Sequence, residues 1–215
     1  MRIVRFFAGV LLIPVCVAVT QAVVSLVQMA QVASESLIPP SAWALGGGFV
    51  LWLVVYFTLP RPMRTYVLAH ELTHALWGAL FGEKVLGMNV SAQRGSVTLS
   101  GSNFLITLAP YFFPLYTILT IIGYNLLALF YDVEAYYLCW LGLVGLTWGF
   151  HLTFTLGSLL QHQTDIKECG HLFSYSIIYL FNIIGIGLWI VAVSSPTLEQ
   201  FIRLIGADTA ALAVL

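Results

Sequence analysis

Long apolar runs that carry almost no charge constrain this chain more than any other feature. Six stretches, about 5–28, 43–59, 65–82, 103–130, 135–162 and 171–193, meet or approach the ~20 apolar residues that take a helix across a bilayer. Lipid offers no partner to a bare peptide group, so each run must close its hydrogen bonds within itself, as a helix. Charged residues make up 8% of the chain, against about 25% in a soluble domain. A surface so poor in charge needs lipid as its solvent. The expectation is an all-α polytopic, multi-pass integral membrane protein with about six transmembrane helices in one domain, 1–215. The formal net charge is −1 without a basic block, so the composition argues against a nucleic-acid partner.

Arg2 and Arg5 precede the first apolar run, as in a signal peptide. The run from Phe6 to about Val27 exceeds the ~7–15 residues of a signal-peptide core, and is read as a retained span; Ala30-Gln31-Val32-Ala33 is a weak cleavage sequence. Alternating six spans puts Arg2, Arg5, Arg61, Arg64 and Arg203 on one side and Lys84, Arg94 and Lys167 on the other. That bias favours cytoplasmic termini by the positive-inside rule. Cys16 and Cys139 lie in apolar runs, where a cysteine usually acts as a small buried hydrophobe. No CxxC spacing occurs, so neither a disulfide framework nor a cysteine metal site is expected.

Between the third and fourth stretches the pattern changes. Val85–Val90 and Ser96–Ser100 are short β-prone runs around a polar, Gly-containing turn. They read as a hairpin, with an ordinary extramembrane loop as the alternative. In the tail after Pro196, Leu198, Phe201, Ile202, Ile205 and Leu212 form an amphipathic pattern suited to the membrane surface, or to a frayed end.

The third stretch contains His70-Glu71-Leu72-Thr73-His74. On a helix, positions i and i+4 share a face one turn apart, so both imidazoles can ligate one zinc ion. Glu71 borders that face and can take a proton from a water without being a ligand. The chain has five His, and at its composition the pattern arises by chance only about three times in a thousand. A glutamate in lipid costs a few kcal/mol unless something compensates it. A metal ion supplies that compensation; a metal-free polar cluster is the bland alternative.

Catalytic zinc usually has three protein ligands. Thr147, His151, Thr155, Ser158, His162 and Asp165 follow each other at steps of four and three, tracing one face of the fifth stretch. A polar stripe on a membrane helix faces protein or water, and this one leads to Asp165, the expected third ligand. His162 is the second choice, as a ligand or as a partner of Asp165. His151 reads as an interhelical histidine, His171 as an interface residue, and Cys169 as a remote possibility four residues from Asp165.

These features resemble the site-2 protease family of intramembrane zinc metalloproteases. The likeness rests on His70-Glu71-Leu72-Thr73-His74 in a membrane stretch, the Gly- and β-rich segment after it, the Ala109-Pro110 and Pro114 opening of the next stretch, and Asp165 near the end of the one beyond. It covers about residues 64–190, with the tail from about 196 outside it. The resemblance implies one zinc ion held by His70, His74 and Asp165, and Glu71 as general base. It also implies a re-entrant hairpin to which an unwound segment of a membrane-anchored substrate adds as a strand. It places the site near the cytoplasmic face, against the charge count. Gln163-Thr164-Asp165-Ile166 stands where the family has Leu-Asp-Gly, and Leu108-Ala109-Pro110 where it has Ala-Gly-Pro.

The expected function is a zinc-dependent intramembrane endopeptidase. One rival is a non-catalytic metal-binding scaffold or transporter, against which only the third and fifth stretches are clearly polar. Another is a membrane zinc protease with a downstream glutamate ligand. Glu134 and Glu168 are its candidates, and neither lies in the helical Glu-x-x-x-Asp pattern that type shows.

Overall fold

The computed structural model describes residues 2–32, 39–91, 94–161 and 163–212. These residues are mostly helical, with one two-stranded antiparallel sheet among them. Among the described residues, four helices are long and apolar enough to cross a membrane: α1 (Arg2–Val32), α2 (Pro40–Thr58), α6 (Tyr137–Leu159) and α8 (His171–Val193). Between them lie α3 (Met63–Leu80), strands β1 (Val85–Val90) and β2 (Gly95–Leu99), α4 (Phe104–Leu108) and α5 (Leu115–Ala128). The short α7 (Thr164–Cys169) follows α6, and α9 (Leu198–Leu212) ends the described chain. Large apolar side chains such as Leu11, Phe57, Leu129 and Leu160 stand exposed. Water would penalise such a surface, and lipid does not.

The fourth apolar stretch is not one straight helix. After α4 a 3-10 turn covers Ala109–Tyr111 before α5 begins, and the two halves meet at 81°. Pro110 and Pro114 lack the amide hydrogens that a continuous helix would use. Counted as one broken span, this pair gives a fifth. α3 is not among the long apolar helices, because Arg64, His70, Glu71 and His74 dilute it.

The chain divides into two compact units, one of Met1–Trp43 with Ile166–Leu215 and the other of Ala44–Asp165. In the first, α1 runs along α8. Thr20 and Tyr179 share a hydroxyl hydrogen bond of 2.8 Å, and the Arg5 guanidinium donates to the Glu168 carbonyl at 2.5 Å. The amphipathic tail does form a helix through Leu212. Phe201 packs on Ala22, Val23 and Leu26 of α1, with Ile205 against the same cluster, while Leu198 and Ile202 stand exposed. The tail beyond Leu212 lies outside the described residues.

In the second unit, α2 and α6 approach through glycines. A Cβ at Gly48 would overlap the Gly142 carbonyl oxygen, and one at Gly145 would overlap that of Leu45. Small residues let membrane helices approach this closely. Backbone atoms cannot step aside, so Gly48→Val is expected to cost at least ~1–3 kcal/mol, read as a lower melting temperature in detergent. An unchanged melting temperature would contradict this packing. The Trp52 indole donates to Thr153 Oγ1 at 2.8 Å, and Trp52, Phe150 and Phe154 form an aromatic core against Tyr66. Cys139, expected to be buried, is exposed, a position that lipid tolerates for an apolar side chain.

The hairpin forms as expected; residues 92 and 93 of its turn lie outside the described residues. Val90 pairs with Gly95 and Met88 with Val97, with a bulge between Val85 and Gly87. Its base is closed by Ser100, whose amide donates to the Lys84 carbonyl at 2.9 Å and whose hydroxyl donates to Glu83 Oε2 at 2.6 Å.

Candidate metal centre

α3 is built from good helix formers, Ala69, Leu72, Ala75 and Leu76, around the motif. The four-residue spacing brings the His70 and His74 rings to 4.9 Å between centroids, with their Nε2 atoms 3.2 Å apart. Asp165 Oδ2 lies 3.4 Å from His70 Nε2 and 3.6 Å from His74 Nε2. Among the described residues, these three side chains form a His/Cys/Asp/Glu group whose donor atoms all lie within 4.8 Å of one another.

Asp165 is where the sequence placed it, but by a different route. α6 ends at Leu159, so the expected polar face does not continue as one helix to Asp165. Past Leu160 the chain has Gln161, Gln163 and Thr164 and no apolar side chain to bury. It turns, with the Gln161 amide donating to the Ser158 carbonyl at 2.9 Å, and restarts as α7 with Asp165 in its first turn. His162 lies outside the described residues. His151 is buried on α6. Glu134 is exposed, and Glu168, Cys169 and His171 belong to the other unit.

The imidazoles are oriented from behind. His74 Nδ1 donates to the Ile106 carbonyl at 2.9 Å. In a continuous helix that carbonyl would bond the amide four residues on. That residue is Pro110, which has no amide hydrogen, while the Ala109 amide bonds Leu105. The carbonyl is thus left for His74. A neutral His74 with Nδ1 donating turns a bare Nε2 lone pair toward the cluster. His70 Nδ1 lies 3.4 Å from the Tyr66 hydroxyl, which bonds Ser158 Oγ. Tyr66 is stacked on Phe154 at 4.7 Å. The Tyr111 hydroxyl donates to Asp165 Oδ2 at 2.9 Å, and Tyr111 is wholly buried.

Two imidazole nitrogens and a carboxylate oxygen converging with lone pairs inward repel one another unless a cation lies between them. With bonds of about 2.0–2.2 Å at tetrahedral angles, the ligand atoms of a zinc ion stand roughly 3.3–3.6 Å apart. The separations of 3.2, 3.4 and 3.6 Å match those edges. A direct imidazolium–carboxylate hydrogen bond would instead close to about 2.7–2.9 Å. The donor set therefore fits zinc, and backing by a carbonyl and by hydroxyls is usual for such ligands.

Glu71 is buried, with 7% of its surface exposed. It borders a cavity of about 500 Å³ shared with Tyr66, His70, Arg94, Gly95 and Ser158. The motif thus borders open space. Sequence reasoning missed Tyr66, Ile106 and Tyr111. Tyr66 stands one helical turn before His70, a spacing that could have flagged it. Tyr111 and the Ile106 carbonyl reach the site only through the proline bend, which no local pattern encodes.

Removing the Tyr111 hydroxyl leaves Asp165 able to rotate away from the histidines. Tyr111→Phe is expected to weaken zinc affinity about 10–100-fold, the range for groups that orient ligands, in a competition titration against a chromophoric chelator. Wild-type affinity in this variant would remove Tyr111 from the metal centre. Comparisons with protein-family models, with curated proteins and with solved structures give no match, so the reading of this centre rests on its own geometry and on its motif.

Proposed function

We propose that the chain is a zinc-dependent endopeptidase of the site-2 protease kind, cutting peptide bonds within or beside the transmembrane segment of membrane-anchored proteins. The observation that carries this reading is the convergence of His70, His74 and Asp165 at zinc-ligand separations, with Glu71 next to His70 on a cavity wall. In the same reading six spans cross the bilayer, namely the four long apolar helices, the bent pair and α3, and the hairpin is re-entrant.

His70, His74 and Asp165 would hold the zinc, which would supply Lewis-acid polarisation and acidify a water. The Glu71 carboxylate, beside His70 on the cavity wall, would act as general base and hand its proton to the leaving amine nitrogen. His74, fixed by the Ile106 carbonyl, and Asp165, fixed by Tyr111, keep the donor set rigid. The cavity would receive an extended substrate segment, which would add to the hairpin as a further strand. Unwinding is needed because the carbonyls of a helical substrate are already bonded.

Purified wild-type protein should retain one equivalent of zinc and cleave a single-span reporter in liposomes. Chelation should stop the cleavage and zinc should restore it. Zinc without cleavage would favour the non-catalytic scaffold or transporter, and neither zinc nor cleavage would leave only a polar cluster.

A further inference from the structure

β2 lies along α3 with a glycine contact at each end. At one end a Cβ on Gly95 would fall 2.5 Å from Glu71 Cγ, 2.6 Å from Glu71 Oε1 and 2.7 Å from Val67 Cγ1. At the other end the bare face of Gly78 receives Leu99, whose Cδ1 would stand 2.8 Å from a Cβ there. Val67, Glu71 and Gly78 fall on one helical stripe, at steps of four and seven. The stretch from Glu71 to Gly78 is about 10 Å long on the helix, and β2 spans about 13 Å, so strand and stripe run side by side.

Glu71 is therefore held by strand rather than by solvent. Gly95 packs over its methylenes, and Val67 lies beside them. A one-residue slip of β2 would turn Gly95 to the opposite face and lose this contact. Gly95 has no need of unusual backbone angles, since it is absent from the positive-φ glycines. Close approach to Glu71 is the requirement it meets.

We infer that the hairpin aims the general base, with Gly95 of β2 as the positioning residue for Glu71. The inference rests on the proteolytic reading for its catalytic consequence, though the Gly95–Glu71 contact is testable without it. A hairpin in this role joins two tasks. The element whose edge meets an extended substrate also sets where the proton acceptor points, so the base is aimed only when β2 is seated on α3.

Two measurements test this. In the first, Gly95→Ala is compared with Gly46→Ala, whose added Cβ would meet nothing within 4 Å. Gly95→Ala should keep its zinc, lose at least tenfold in kcat and hold KM within twofold; Gly46→Ala should match the wild type. Wild-type kcat in Gly95→Ala, or loss of zinc together with activity, would overturn the positioning role. In the second, the melting temperature in detergent is followed through the cycle of wild type, Gly95→Ala, Glu71→Ala and the double variant. Gly95→Ala should lower it in the wild-type background, and less than half as much once Glu71→Ala has removed the side chain that the new Cβ meets. Equal losses in the two backgrounds would overturn the inference. If the wild type cleaves nothing, the protease reading fails while the cycle still decides whether β2 packs on Glu71.

Discussion

Glu71→Gln is expected to abolish cleavage of a single-span reporter while zinc stays bound at the wild-type level. The two side chains have the same shape, so glutamine keeps the packing beneath Gly95 and beside Val67. None of the three converging donors changes. What disappears is the carboxylate that takes the proton, and losses of about 10²–10⁴-fold are typical when a general base is removed. Zinc content and single-turnover cleavage, measured on one preparation, separate this outcome from misfolding. Activity above a tenth of wild type would remove Glu71 from the mechanism.

The second large effect belongs to Asp165. Asp165→Asn should retain the fold and lose the metal. Asparagine still offers an oxygen that can accept from Tyr111, so the buried hydroxyl is not orphaned. It removes the negative charge that balances a divalent cation among low-dielectric helices, and two neutral imidazoles are a poor site alone. Zinc affinity should fall by more than the ~100-fold that marks the upper end for merely orienting groups, and cleavage should fall with it. Equilibrium dialysis with graded zinc measures the first, and the reporter the second. Tight zinc in Asp165→Asn would shift the third ligand elsewhere, with His162 the next residue to replace.

Some of this was legible before any fold was known. Runs of apolar residues required helices, because lipid leaves the backbone no other partner. His70 and His74 had to share a face, because four residues make about one turn. The hairpin announced itself by β-prone runs around a glycine-containing turn. Each of these is a property of neighbours in the chain, settled by bond geometry within a single element.

What folding added concerns groups far apart in sequence. Asp165 was named from a helical stripe, yet α6 stops at Leu159 and the carboxylate arrives on α7 after a turn. Its meeting with His70 depends on where that turn ends, which spacing along one helix does not encode. The Ile106 carbonyl reaches His74 because a proline leaves it unbonded and the chain bends there. Tyr111 meets Asp165, 54 residues away, only once that bend is made. Gly95 looks like a turn residue until β2 is laid on α3 and its missing side chain proves to be the space that Glu71 fills. Short-range patterns choose the elements; the contacts that aim a carboxylate or an imidazole are made where separate elements pack, and packing is a property of the whole fold.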